Sequence, residues 1–263
     1  MTVSTEKPTS TSAPVSARRA GPELVLVTVF RPVAHAFVPL LRRAGISPPA
    51  VVLANAAVGL VAALVLARGE LIAAAALLQV KTLLDNMDGQ LARATGRVTL
   101  AGRYLDTIAD LVVNAAVFAA LGYVTEQAFL AAASFVALTL VLAVDFNVTE
   151  LYRHAHGIAA LQPSSTRGRA ERVLAAVYRA LFAPLDRAVC SLSARRFHGR
   201  HTYDRLTVTI LANLGLSTQL FLLGLCLLLG APSAYLWFVL ICLVSLVPLQ
   251  LRAERQARAA IAS

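Results

Sequence analysis

The sequence predicts an all-α membrane protein with six transmembrane helices, preceded by a helix that lies in the membrane interface. Hydrophobic residues make up 58% of the 263 residues and charged residues only 14%, with a mean hydropathy of +0.70. This balance exceeds that of soluble domains. Six apolar runs are each long enough to cross a hydrocarbon core of about 30 Å. The basic residues cluster on one side of the layout that these runs define.

The first 44 residues are expected to lie outside the transmembrane bundle. Residues 1–21 are rich in Ser, Thr and Pro and lack an apolar h-region, so they predict a disordered cytoplasmic tail rather than a signal peptide. Residues 22–44 are apolar but are interrupted by Arg31 and Pro39. This pattern favours an amphipathic helix in the cytoplasmic interface over a span, because proline disrupts a helix interior and an interfacial helix accepts charge.

Residues 45–252 are expected to form one six-helix transmembrane domain. Its spans are predicted at about 49–67, 71–93, 100–123, 127–150, 206–229 and 232–250. The linker 151–205 is basic and carries apolar positions at helical spacing, which predicts amphipathic helices on the cytoplasmic side. Residues 253–263 are predicted to form a second cytoplasmic tail.

The formal net charge of +10 could by itself indicate nucleic-acid binding. In the six-span layout, however, the basic residues fall on one side, which leaves only Arg68 on the other side and Lys81 within a span. This distribution follows the positive-inside rule, so both termini of a multi-pass protein of the plasma membrane are predicted to be cytoplasmic. The surplus charge suits anionic headgroups, so membrane lipids and not nucleic acid are the expected partners.

Four aspartates lie in a 26-residue stretch where a membrane protein should have almost none. The stretch reads Asp85-x2-Asp88-Gly89-x2-Ala92-Arg93-x8-Gly102-x3-Asp106-x3-Asp110. On a helix the positions from Asp85 to Ala92 share one face, and Gly102, Asp106 and Asp110 recur every fourth residue on the next helix. Ionisable groups in an apolar segment cost at least about 2.5–3.5 kcal/mol each on insertion scales, so by default they mark a functional site.

Four carboxylates at close range would repel one another or take up protons unless a cation lay between them. Hard oxygen ligands favour Mg²⁺, Mn²⁺ or Ca²⁺. A helix rises by about 1.5 Å per residue, so the two pairs also lie at similar depth near the cytoplasmic ends of their spans. The pattern therefore predicts a divalent-metal site formed by Asp85, Asp88, Asp106 and Asp110. Ion pairing of these aspartates with neighbouring arginines is the purely structural alternative.

The same stretch resembles the signature of the CDP-alcohol phosphotransferase family, also called CDP-alcohol phosphatidyltransferases, in every fixed position. The match includes the eight-residue gap between Arg93 and Gly102. The resemblance implies an integral membrane enzyme that moves a phosphoalcohol group from a CDP-linked donor to an acceptor hydroxyl and releases CMP. It further implies that 45–252 is a catalytic domain, that the cofactor is Mg²⁺ or Mn²⁺ as two ions, and that the protein is a homodimer.

The resemblance also implies a role for each signature residue. Asp85, Asp88 and Asp106 would bind the metals, and Asp110 would complete the metal site and take the proton from the attacking hydroxyl. The nucleotide-binding set would be Asp85, Asp88, Gly89, Ala92, Arg93 and Gly102.

These implied roles agree with the chemistry of the side chains. Gly89, Ala92 and Gly102 would leave room for the cytidine nucleotide, with Arg93 near its phosphates. Metal-held positive charge would offset the charge that develops on the phosphate oxygens. Asn114, one turn beyond Asp110, and Asp145, near the end of the fourth span, are candidate contacts for the acceptor.

Three functions are compatible with these observations. The leading interpretation is a transferase of phospholipid biosynthesis that uses a donor such as CDP-diacylglycerol and a small polar acceptor. A CDP-choline or CDP-ethanolamine donor with a lipid alcohol as acceptor is the alternative within the family, faintly favoured by Asn86. A divalent-cation carrier is the alternative from another class, although the short outer connections and one-sided charge argue against it.

Overall fold

The computed structural model describes residues 23–157, 163–165, 168–196 and 203–262. The predicted tail 1–21 lies outside the described residues. Within the described residues, a π-helical segment, Leu26–Phe30, continues directly into the first α-helix. The described part of the chain forms nine α-helices: α1 Arg31–Arg43, α2 Pro48–Ala67, α3 Leu71–Ala94, α4 Leu100–Val124, α5 Ala128–Ala155, α6 Arg169–Arg196, α7 Arg205–Ala212, α8 Leu216–Leu228 and α9 Pro232–Ala262. Within this part of the chain, β-pairing is limited to one isolated bridge between Thr99 and Ser164. The all-α fold class is confirmed.

Four of the described helices are long and apolar enough to cross a membrane, namely α2, α4, α5 and residues Pro232–Gln256 of α9. Helices α7 and α8 make a fifth candidate if the pair, bent by 45°, is one span. Helix α3 has a similar length, but its charged residues Lys81, Asp85, Asp88 and Arg93 make it less apolar. The multi-pass membrane architecture is therefore supported, whereas a count of six, with α3 as the sixth, stays a prediction.

Three boundaries differ from those expected. The helix of the fourth span continues past residue 150 to Ala155, and α9 continues through 253–262, the region predicted as a cytoplasmic tail. The extension of α9 is rich in Ala and Arg, which are good helix formers. The fifth span breaks before Gly215, where a Cβ atom would lie 2.9 Å from the carbonyl oxygen of Ala212. The fifth span stays apolar across the break, so hydropathy alone does not predict the break.

The packing of α2, α3 and α4 positions the acidic stretch. Helix α2 packs on both α3 and α4, and α3 also packs on α8. A Cβ atom at Gly59 of α2 would collide with the side chain of Val113 of α4, so glycine permits the close approach of these two helices. The fully buried Leu66, Leu78 and Leu121 join the three helices in one core. Helix α2 therefore holds the two helices that carry the signature beside each other.

The segment predicted to lie in the interface is helical and rests on α3. Ala34 and Val38 of α1 form a buried cluster with Leu91 of α3. An adjacent side of α1 exposes large apolar residues, among them Phe37 and Leu40. An exposed apolar side suits a membrane surface, and the placement of this helix in the interface stays a prediction.

Candidate functional site

Three of the four signature aspartates come together. Asp85 and Asp88 lie one turn apart on α3, and Asp106 lies on α4. One carboxylate oxygen from each residue lies within 4.8 Å of those of the other two. Among the described residues, Oδ2 of Asp88 and Oδ1 of Asp106 are buried without a hydrogen-bond partner.

The residues of this cluster fit a divalent cation. Buried carboxylate oxygens are costly unless a positive charge or a hydrogen-bond donor compensates them. Three carboxylates at this spacing form the kind of oxygen ligand set that Mg²⁺ and Mn²⁺ favour. The buried oxygens of Asp88 and Asp106 are therefore available to a metal ion.

Asp110 has a different environment from the other three aspartates. Its Oδ1 atom lies 2.6 Å from Nζ of Lys81, whose side chain is 0% exposed, whereas that of Asp110 is 19% exposed. Lys81 lies one turn before Asp85 on α3, so its ammonium group reaches the acidic site from the interior of the bundle. A protein cation thus binds the fourth signature carboxylate.

The sequence predicts that Lys81 lies within a span but does not identify its partner. The available signal was the position itself, because a lysine inside a membrane helix needs an anionic partner. Four aspartates lie close by in the sequence, and periodicity alone does not identify which of them is bound. The packing of α2 on both α3 and α4 brings these two helices together, and Asp110 is the aspartate that Lys81 contacts.

Helix α2 adds a residue that was absent from the predicted site. The side-chain amide of Asn55 donates to Oδ1 of Asp85 with a donor–acceptor distance of 3.4 Å. Asn55 is buried, and its position in an otherwise apolar helix was the signal that could have identified it. Three helices therefore contribute side chains to the acidic site.

The predicted nucleotide-binding residues flank the carboxylates. A Cβ atom on Gly89 would lie 3.4 Å from Nη1 of Arg93, so the guanidinium group lies over this glycine. Ala92 is partly buried on the same helix. Gly102 also takes part in the cap of α4. Its backbone N–H donates to Oγ1 of Thr99, the residue that caps this helix, at 3.0 Å.

The two candidate acceptor contacts lie on different helices. Asn114 is buried on α4, one turn beyond Asp110. Asp145 is partly buried on α5, where the hydroxyl of Thr149 lies 3.4 Å from its Oδ1 atom. Their contact with an acceptor stays a prediction.

The fold and the site together define an integral membrane protein with a carboxylate cluster suited to a divalent metal. A family model described as CDP-alcohol phosphatidyltransferase matches residues 46–247, from just before α2 into α9. The chain therefore belongs to the CDP-alcohol phosphatidyltransferase family. No curated protein and no solved structure matches the chain. Family membership supports transfer of a phosphoalcohol group from a CDP-alcohol to an alcohol acceptor in a membrane.

Proposed function

We propose that this protein transfers a phosphatidyl group from a donor such as CDP-diacylglycerol to the hydroxyl of a small polar acceptor, with release of CMP, in phospholipid biosynthesis. Glycerol phosphate, inositol phosphate and serine are acceptors of the proposed class. The observation that carries the proposal is the cluster of Asp85, Asp88 and Asp106 on neighbouring helices of a membrane bundle. A lipid pyrophosphate can approach such a site from the side while its acyl chains stay in the bilayer.

The donor is proposed to bind beside the residues that α3 contributes to the site. Asp85, Asp88 and Asp106 would hold Mg²⁺ or Mn²⁺, as two ions in the proposed arrangement. The bound metal would supply positive charge against the pyrophosphate and the departing CMP. Gly89, Ala92 and Gly102 would leave space for the nucleotide, and the guanidinium group of Arg93 would bind phosphate oxygens.

The acceptor is proposed to react beside Asp110. Because Lys81 binds Oδ1 of this carboxylate, Oδ2 is the oxygen that would take the proton of the attacking hydroxyl. The acceptor oxygen would form a bond to the β-phosphorus of the donor. The bond from that phosphorus to the bridging oxygen would break, and the oxygen would leave with CMP. Asn114 and Asp145 are the proposed contacts that orient the acceptor.

The proposed setting is the plasma membrane, with both termini in the cytoplasm and a homodimer as the assembled form. The one-sided distribution of basic residues supports the orientation. The family resemblance supports the dimer. In this orientation the acidic site lies near the cytoplasmic surface, where soluble acceptors are available.

The donor can be identified by incubating the protein in liposomes with CDP-diacylglycerol and, separately, with CDP-choline or CDP-ethanolamine plus diacylglycerol. Each reaction contains Mg²⁺ and a pool of acceptors, and both CMP and the lipid product are measured. We expect CMP and a new phospholipid from CDP-diacylglycerol, and neither from the Asp106→Asn variant. CMP from only the soluble donors would refute the lipid-donor assignment. Metal flux without CMP release would instead support the cation carrier.

A further inference from the structure

Helix α6, Arg169–Arg196, lies between the fourth and fifth predicted spans and takes no part in the proposed chemistry. It packs against α4 and α5. The ring of Tyr178 lies 5.0 Å, between centroids, from the ring of Tyr104 on α4, and 5.1 Å from that of Phe182 on α6 itself. One side of α6 therefore packs against the bundle.

The segment before α6 is attached to the turn between α3 and α4. The backbone N–H of Ser164 donates to the carbonyl oxygen of Val98 at 2.9 Å. The backbone N–H of Leu100 donates to the carbonyl oxygen of Ser164 at 3.0 Å. Ser165 donates to Oε1 of the buried Glu171 at 2.7 Å. These contacts place the beginning of α6 at the end of the bundle where the two halves of the signature are joined.

A second side of α6 is apolar and exposed. Val173, Val177 and Leu181 are 56%, 38% and 49% exposed. Their spacing of four residues places them on one stripe along the helix. Successive residues of a helix are about 100° apart, so this stripe lies directly beside the side that carries Tyr178. The protein side and the exposed apolar side of α6 are therefore neighbours.

The remaining circumference of α6 is basic. The exposed Arg169 and Arg187 lie about 80° from the centre of the apolar stripe, on the side away from the bundle. The exposed Arg172 and Arg179 lie nearly opposite the stripe. Over its whole length, α6 has six arginines against two acidic residues in the sequence. The helix thus presents three distinct sides, to protein, to an apolar medium and to a polar medium.

A helix needs these three sides where the wall of a membrane bundle meets the bilayer surface. One side packs on the wall, the next enters the hydrocarbon boundary, and the third faces headgroups and water. The apolar stripe also continues the lipid-facing surface of the neighbouring helices, since Val112 of α4 and Phe146 of α5 are exposed large apolar residues. A soluble environment would leave the stripe in water, where apolar exposure is unfavourable.

We propose that α6 lies in the membrane surface beside α4 and α5 and binds anionic phospholipid. The stripe of Val173, Val177 and Leu181 enters the hydrocarbon boundary, and Arg169 and Arg187 bind the negatively charged headgroups along its free edge. Arg172 and Arg179 face water. This surface is separate from the acidic site and does not rest on the proposed transferase activity.

The position of the stripe can be measured on the full-length protein in liposomes that contain phosphatidylglycerol. A spin label is attached at Val177→Cys or, as the matched control, at Arg172→Cys, after the native cysteines have been replaced. Oxygen concentrates in hydrocarbon and a nickel chelate concentrates in water, so their collision rates report depth. We expect the label at 177 to collide mainly with oxygen and the label at 172 mainly with nickel.

Two results of this measurement would overturn the membrane placement. Equal nickel collision rates at both positions would place the stripe in water. A label at 177 that is immobilised and shielded from both reagents would show that protein covers the stripe, and spin–spin broadening would identify a second copy as the cover. Size-exclusion profiles and reactivity with the label control for misfolding of either variant.

The anionic-lipid half of the proposal is tested with charge variants that carry the label at 177. We expect the Arg169→Gln/Arg187→Gln pair to lose most of the difference in depth between phosphatidylglycerol and phosphatidylcholine bilayers. The Arg172→Gln/Arg179→Gln pair removes the same charge from the water-facing side and should retain that difference. A depth that is independent of lipid charge in the unmodified protein, or equal losses in the two pairs, would overturn headgroup binding by Arg169 and Arg187.

Discussion

The ammonium group of Lys81 and the carboxylate of Asp110 join α3 to α4 at the acidic site, with Nζ and Oδ1 2.6 Å apart. The lysine side chain is fully buried, so the pair lies in surroundings that screen charge poorly. Removal of one partner of such a pair leaves an uncompensated charge inside the protein. The pair therefore links the stability of the bundle to the position of the fourth signature aspartate.

Replacement of Lys81 by Met should destabilise the protein and abolish CMP release. Loss of a buried ion-pair partner typically costs about 3–5 kcal/mol, and here the orphaned carboxylate also lies beside three others. Thermal unfolding in detergent measures the first effect. The double variant Lys81→Met/Asp110→Asn should recover much of the lost stability without recovering activity. A single variant as stable and active as the unmodified protein would contradict a role for the pair.

Mn²⁺ should bind to the cluster of Asp85, Asp88 and Asp106. Electron paramagnetic resonance titration is expected to show tight binding in the unmodified protein and weak binding in Asp88→Asn, because one carboxylate ligand is lost. Glu150→Gln is the matched control, since this acidic residue pairs with His154 on α5. Activity should require Mg²⁺ or Mn²⁺ and disappear with a chelator. Full activity in excess chelator would argue against the metal site.

Asp110→Asn should lower kcat far more than it raises KM for the donor. The proposed proton transfer occurs in the transition state, so its loss affects turnover rather than ground-state binding. General-base groups typically contribute a factor of about 10²–10⁴, which sets the expected decrease in kcat. Steady-state kinetics with a fixed acceptor concentration measures both constants. Parallel loss of donor binding and turnover would instead identify Asp110 as a ligand.

A cysteine at Glu126 or Pro232 should react with a membrane-impermeant reagent added from outside intact cells. Both positions lie at the end of the bundle opposite the turn between α3 and α4. A cysteine at Ala176 of α6 should react only after the membrane is permeabilised, as both termini should. Labelling of the α6 position from outside would overturn the predicted orientation.

Asp204 should stabilise the start of α7 in a pH-dependent way. Partial burial raises the pKa of its carboxyl, but hydrogen bonds from Thr207 and the charge of Arg252 outweigh this effect and place the pKa below its usual value. The contribution to stability is therefore present above about pH 4, the unfolded-state value, and is lost as pH falls through the folded-state pKa. Asp204→Ala should cost about 1 kcal/mol at neutral pH.

Thermal unfolding of the unmodified protein and of Asp204→Ala between pH 7 and pH 3 checks this expectation. The difference between their melting temperatures should be largest at neutral pH and should shrink below about pH 4. Arg205→Gln, at the next position, is the control. A difference that grows as the pH falls would contradict the direction of the pKa shift.

Local patterns in the sequence were sufficient for the membrane architecture and for three residues of the metal-competent cluster. Hydropathy predicts membrane helices because about 20 apolar residues suffice to cross the hydrocarbon core. Asp85 and Asp88 share a face because they are three residues apart on one helix. The fixed spacings of the signature carried the family resemblance, which the family model confirms over residues 46–247.

Only the tertiary structure decided which groups on different helices meet. The contacts of Lys81 with Asp110 and of Asn55 with Asp85 join positions 29 and 30 residues apart, and they depend on how α2, α3 and α4 pack. Helical periodicity gives the face on which a residue lies but not the crossing angle or the depth of the neighbouring helix. The packing of α6 against α4 was hidden for the same reason, because an amphipathic pattern shows that a helix has an apolar side without identifying what covers it.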